Sequence, residues 1–483
     1  MRHPAPRLHP RRVLALALTL TALAAGCRTD VQPTAPLSPS SPRLALGATV
    51  IVTNTNDDGA GSLRQAVADA ADGATIQFDA SLAGQTIVLS TQLELVDKSV
   101  TIEGPAAGGI VLSGAGTDRV VNAGFGPIAA PISVTLRNVT ITNGRGAPGG
   151  GILVYGTLTI DHGTVTGNQA TNPIADPQVS ADGGGIAIYG GTLTLVNSTV
   201  SGNSTPAAGG GIGFYSAHGH AHGTATLINS TVTGNTGRLN GGIIASVGGA
   251  PGESTVLTIR NSIIANNTPT DPSVGFDNCY FNTNVVVNLG GTNLSNDVSC
   301  GAAGANMIVA DPMLGPLAAN GGPTMTHKLL PGSPAIDAAT ACTVSDDQRY
   351  VARPQGAACD IGAVEFDDYT KVLITVDPSG TVNSTTGVAI VSGTISCSTP
   401  TPLALAVSIS QSQKAGKVNA TVGASDVVQL SCGAKKAWSV ALTPATGAFD
   451  NSSARVTAAT SNTPPIIIPA STTATIKMAW SRR

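Results

Sequence analysis

Aromatic and charged residues are both scarce in this chain of 483 residues: 3% are Phe, Trp or Tyr, and 11% are Asp, Glu, Lys or Arg. Few large rings means an interior filled by Val, Ile and Leu. Apolar stripes of helical length are missing from the middle of the chain, which argues against a helical bundle. The charge is also not concentrated. A formal net charge of −3, with four of the arginines (Arg2, Arg7, Arg11 and Arg12) at the extreme N-terminus, leaves no basic stripe for a nucleic acid. No nucleotide-binding glycine loop, nucleophile elbow, HExxH or CxxC occurs, and nothing in the chain calls for a cofactor.

Glycine, in contrast, is abundant at 58 residues, and it recurs in phase. The stretch GGGILVYGTLTIDHGTVTGN occupies Gly149–Asn168, GGGIAIYGGTLTLVNSTVSGN occupies Gly183–Asn203, and related phrases follow at Gly209–Asn235 and Asn240–Asn267. The isoleucine after the glycines falls at Ile152, Ile186, Ile212 and Ile243, a period of roughly thirty residues that marks a solenoid. Within each unit apolar and polar residues alternate, as in Thr157-Leu158-Thr159-Ile160, the signature of strands. Strands of successive coils must then pair in parallel. The expected fold is all-β: a right-handed parallel β-helix followed by a C-terminal β-sandwich. About eight coils and a body of about 40 Å are expected.

The boundaries follow from composition. Residues 1–26 combine an arginine-rich start, the apolar run Val13–Ala25 and the exit Leu23-Ala24-Ala25-Gly26-Cys27, which describes an export signal. Its last residues resemble a bacterial lipobox, and the resemblance implies that Cys27 carries a lipid that holds the chain to a membrane, with the outer membrane or cell surface as its destination. Residues 27–47 read as a flexible tether and residues 48–84 as an N-terminal cap, whose short helix opens at Ser62 with Gln65 at capping-box spacing. Coils are expected over 85–309, a terminal cap over 310–369 and an Ig-like sandwich over 370–483. The sandwich holds Cys397, Cys432 and Trp438, without the tryptophan between the cysteines that true immunoglobulin domains show.

Three further phrases resemble known bacterial surface proteins. GSLRQAV at Gly61–Val67 is similar to the CSLREA element that begins many of them, with Gly61 in place of Cys. The GGGI and apolar-x-x-Asn phrases resemble repeats of polymorphic outer-membrane proteins over about 130 residues, with Val or Ile in place of Phe. Residues from Asp311-Pro312 through Pro331-Gly-Ser-Pro-Ala-Ile-Asp337 to Cys359-Asp-Ile-Gly-Ala-Val-Glu365 resemble the choice-of-anchor Q segment, with Tyr350 where Gly is commoner. The chain reads as a monomer with a glycan or an extracellular protein as its partner, and these resemblances imply an exported β-helix protein. They imply no reaction.

Candidate sites are sparse. Six cysteines fall in three local pairs, Cys279 with Cys300, Cys342 with Cys359, and Cys397 with Cys432, which suits disulfides in an oxidising compartment. Asp57 and Asp58 offer an incomplete calcium loop. Asn138, Asn197, Asn229 and Asn261 recur at equivalent places and read as an internal amide ladder more simply than as a ligand-facing row. The acids of the coils, Asp118, Asp161, Asp182, Glu253, Asp271, Asp277 and Asp297, read as scattered, with no two at neighbouring coil positions. Asp161-His162, with Arg137 one coil earlier, is the best catalytic group they offer. His218, His220 and His222 alternate as a metal trap would if extended, although a solvated loop explains them as well. Asp337, Asp347, Arg349, Arg353, Asp360 and Glu365 read as a salt-bridge network that holds an irregular segment.

The reading is of a surface lipoprotein that binds or builds and does not catalyse, with a polysaccharide lyase or glycoside hydrolase as the alternative. Metabolic labelling with palmitate tests its first step: the parent chain takes up label, and Cys27→Ala takes up none.

Overall fold

The computed structural model describes residues 47, 49–124, 132–171, 183–216, 223–247, 255–271, 273, 277–398, 400–415, 418–460 and 470–481. Strands of successive coils pair in parallel and in register, giving a parallel β-helix. One nine-stranded sheet runs from Thr49–Val52 through Ala74–Phe78, Val100–Glu103, Ser133–Arg137, Thr157–Asp161 and three further strands to Val285–Gly290. A second nine-stranded sheet runs from Thr86–Val88 to Met307–Val309, and a seven-stranded sheet joins Leu93–Leu95 to Cys279–Phe281. The first sheet therefore starts at Thr49, inside the stretch expected to be only a cap.

Alternation within each strand decides which residues face inward. Leu136, Ile160, Leu195, Leu227 and Ile259 stand in register on successive coils, and all are buried in one core. Stacking of like on like at about 4.8 Å lets such aliphatic columns fill the interior with few rings. At the N-terminal end, the Ser62 hydroxyl accepts the Gln65 amide at 3.1 Å and caps the helix Leu63–Asp69. Leu63, Ala66 and Val67 of that helix join the same core as Val52 and Ile76.

The amide ladder exists, but in a different row from the one expected. Asn168, Asn203, Asn235, Asn267 and Asn278 are buried, and each of the first four donates its Nδ2 to the Oδ1 of the next at 2.9–3.0 Å. The same Oδ1 atoms also accept the backbone N–H of the preceding Asn at 3.0–3.1 Å. This row explains the glycine triplets. A Cβ on Gly185 would lie 2.8 Å from Gly211 O and 3.0 Å from the Asn203 amide, so only glycine lets the amides pack against the next turn. Asn138, Asn197, Asn229 and Asn261 instead hold φ values of 57°, 45°, 45° and 48°. They are corner residues in the left-handed region, which asparagine tolerates, and His162 fills the same corner with φ 54°.

Much of the segment 310–369, expected as a terminal cap, lies along the outer face of the second nine-stranded sheet. Gln348 is fully buried there. Its Nε2 donates to Gly163 O at 3.0 Å and Thr164 Oγ1 at 2.9 Å, and its Oε1 accepts from Thr199 at 2.6 Å. Further along, Ala363 N donates to Thr231 Oγ1 at 3.1 Å and Gly362 N to Asn261 O at 2.9 Å. Ile263, Ala265 and Leu294 of the coils share a satellite core with Leu329, Ile336, Ile361, Phe366 and Tyr369 of the segment. A row of outward threonines and isoleucines gives the segment something to bury against.

Beyond residue 370 the strands are mostly antiparallel. The long hairpin Thr401–Ala415 with Val418–Cys432 extends the layer formed by Ala454–Thr460 and Ser471–Trp480. Val372–Val376, Ala389–Cys397 and Lys436–Leu442 form the facing layer. Val391, Ile395 and Trp438 meet Leu405, Val407, Val456 and Ile476 in one core, as a sandwich requires. Disulfides join Cys279 to Cys300, Cys342 to Cys359, and Cys397 to Cys432.

Asn235→Ala strands two buried donors of Asn203 and is expected to cost roughly 2–5 kcal/mol. Thr226→Ala, on the outer face of a strand, is expected to change stability by less than about 0.5 kcal/mol. Denaturant unfolding of the two variants checks both.

Candidate functional site

Strand register places charged residues together that the sequence left apart. Gln77, Glu103, Arg137 and Asp161 occupy equivalent positions on four successive strands of the first sheet. Each closes a similar phrase: ATIQ at Ala74–Gln77, VTIE at Val100–Glu103, VTLR at Val134–Arg137, and LTID at Leu158–Asp161. Aligned phrase by phrase, the sequence carried this signal. The acids are thus not all scattered, and Glu103 belongs with the candidate group Arg137, Asp161 and His162.

The row is paired along its length. Gln77 Nε2 donates to Glu103 Oε2 at 2.8 Å, Arg137 Nη1 to Glu103 Oε1 at 3.2 Å, and Arg137 Nε to Asp161 Oδ2 at 3.0 Å. His162 Nδ1 sits 2.6 Å from Asp161 Oδ1. Burial alone would push the Asp161 carboxyl up, but the His162 and Arg137 contacts outweigh it and hold the carboxyl below its ordinary range. The hydrogen bond to Asp161 in turn raises the Arg137 guanidinium, against the effect of burial.

His162 is also covered from outside. The Tyr350 ring stacks on it with centroids 4.2 Å apart and planes 14° apart, and the Tyr350 hydroxyl donates to Asn138 Oδ1 at 2.7 Å. Asp346 Oδ1 stands 3.7 Å from His162 Nε2. The corner row meets the covering segment at other coils too: Asn197 Nδ2 reaches Asp346 Oδ1 at 3.5 Å, Thr343 donates to Asn229, and Asn261 Nδ2 donates to Ala341 O at 2.8 Å. Among the described residues these asparagines do not bind one another; they fasten the segment.

The charges of residues 337–365 form the network that such a segment needs. Asp347 Oδ2 accepts from Arg349 Nη2 at 2.7 Å and from Glu365 N at 2.8 Å, and Arg353 pairs with Glu365. Asp360 accepts backbone N–H groups from Asp337 and Phe366. Even so, burial and then the charge of Glu365 push its carboxyl up to about 7. Burial also raises Glu365, opposed by Arg353.

Other candidates resolve differently. Asp57 is taken up by Arg64 and Ser90, and Asp58 caps Gly59 N. Among the described residues, no three His, Cys, Asp or Glu side chains gather as a metal site. His218, His220 and His222, Asp182, Glu253 and Cys27 lie outside the described residues. Among the described residues no helix is long and apolar enough to cross a membrane. No protein-family model matches the chain, and no curated protein matches it.

The Asp360 carboxyl supplies a pH test. Its unfolded value is near 3.8 and its folded value near 7, so the folded chain holds the extra proton between them. Stability from this group falls as pH rises from about 4 to about 7. Unfolding midpoints at about pH 5 and about pH 8 are expected to differ less in Asp360→Asn than in the parent chain.

Proposed function

We propose that this chain is an exported surface lipoprotein of the choice-of-anchor Q kind, tethered through lipidated Cys27, whose β-helix binds a glycan or an extracellular protein without transforming it. Three disulfides support a destination outside the cytoplasm. The resemblances at Gly61–Val67 and at 311–365 support the surface placement.

One observation carries the non-catalytic reading: the best acid and base candidates neutralise each other. A glycoside hydrolase needs one carboxylic acid that keeps its proton near neutral pH. Asp161 is held the other way, ionised between Arg137 and His162. A polysaccharide lyase needs a base and an exposed cation to stabilise a developing enolate. Here Arg137 is shared between Glu103 and Asp161, and His162 is buried beneath Tyr350. The paired row stabilises the sheet and leaves its outer surface as hydrogen-bonding area.

The purified chain is expected to bind immobilised glycan or matrix protein and to leave pectin, alginate and glycosaminoglycans intact in a reducing-end and unsaturated-product assay. Turnover of any of these, lost in Asp161→Asn, would establish the enzyme in its place.

A further inference from the structure

The charged row ends beside an open cleft. Its lining includes Gln77, Glu103, Gly104, Pro105, Asn138 and Tyr350, and its volume is about 220 Å³. That is below the roughly 300–1,000 Å³ typical of sites for drug-sized molecules, and it suits one small ring. Tyr350 belongs to the covering segment, whereas the other lining residues belong to the first coils, so the cleft exists only where the segment meets the solenoid.

Tyr350 is held there at a cost. Its φ is 65°, a left-handed conformation that disfavours a bulky side chain by about 1–3 kcal/mol. Glycine would adopt the same backbone without that cost. The residue is nonetheless 40% exposed, so it is not held there as a buried core side chain. What the side chain gains is position: its ring lies on His162 and its hydroxyl on Asn138.

The polar groups on the wall are mostly acceptors. Glu103 Oε1 and Oε2 each receive one donor, from Arg137 and Gln77, and each keeps a lone pair. Gln77 Oε1 accepts no hydrogen bond among the described residues, and the Tyr350 oxygen can accept while its proton goes to Asn138. A matching ligand brings several O–H donors close together. Arg137, shared between Glu103 and Asp161, offsets part of the carboxylate charge, so a ligand of hydroxyl donors need carry no charge, while an anion would face the carboxylate.

We infer that this cleft binds a single neutral pyranose unit, as a free sugar or as the exposed end of a glycan. Pro105 and the Tyr350 ring supply apolar wall, and Gln77, Glu103 and the Tyr350 oxygen take up its hydroxyls. The inference rests on the binding function proposed above and gives that function a place.

The test uses the purified full chain. Saturation-transfer NMR and calorimetry are run with glucose, galactose, mannose and N-acetylglucosamine, with glucuronic and galacturonic acids, and with lysine methyl ester as a cationic probe. An array of neutral glycans separates free sugar from glycan end. At least one neutral pyranose is expected to bind, with the uronic acids about tenfold weaker or worse. Tyr350→Gly, which relaxes the backbone, and Gln77→Ala, at the lip, are each expected to weaken binding about tenfold, with melting curves confirming that both variants fold. Neutral glycans bound equally well by both variants would remove the site and leave the adhesive reading standing. No glycan binding at all would overturn the inference and leave the proposed function resting on an extracellular protein as the ligand. Preference for the amine, lost in the same variants, would make the occupant a cation and overturn the inference.

Discussion

The solenoid and the segment laid against it depend on successive coils stacking in parallel register. Register places Leu136, Ile160, Leu195, Leu227 and Ile259 in one column and lets a small-residue sequence build a dry interior. It also brings five buried asparagines within hydrogen-bonding reach of one another. A buried amide without partners would be expensive, yet in this ladder each turn supplies the partners of the turn before it. The glycine triplets are the steric condition for that arrangement.

A parallel β-helix with all its faces bare would offer little to distinguish one flank from another. The segment that follows the coils breaks that equivalence. It inserts Gln348 into the threonine row of the second sheet, takes hold of the corner asparagines, and buries an apolar patch around Ile263 and Ile361. Its internal ion pairs, with Arg349 and Arg353 at the centre, replace the ladder hydrogen bonds that an irregular backbone lacks. The covered flank is thereby closed to ligands, while the edge where Tyr350 meets Glu103 and Gln77 remains open. This is also where the row Glu103, Arg137 and Asp161 is paired along its length.

Much of the fold was legible in the sequence because period-two alternation and recurring GGG-apolar phrases report directly on strands and coils. The charged row was harder to see because coil length varies. Glu103 and Arg137 are 34 residues apart, and Arg137 and Asp161 only 24, so a fixed period misses their alignment. The two asparagine rows were confused for a physical reason: asparagine suits both a left-handed corner and a buried amide stack, and only the backbone angle separates the cases. Contacts of the covering segment were beyond reach. Tyr350 and Asn138 lie 212 positions apart, and no local pattern encodes such a meeting.

The dependence of the flank on residues 341–363 can be measured by native-state hydrogen exchange. If the segment is part of the solenoid, the amides of Gln348, Gly362 and Ala363 exchange as slowly as those of Asn203 and Asn235, and Gln348→Ala speeds exchange at Thr164, Thr199 and Thr231 as well as in the segment. Exchange of 341–363 in a separate, faster class, with the threonine strands unaffected by Gln348→Ala, would show a detachable appendage and contradict the latched flank.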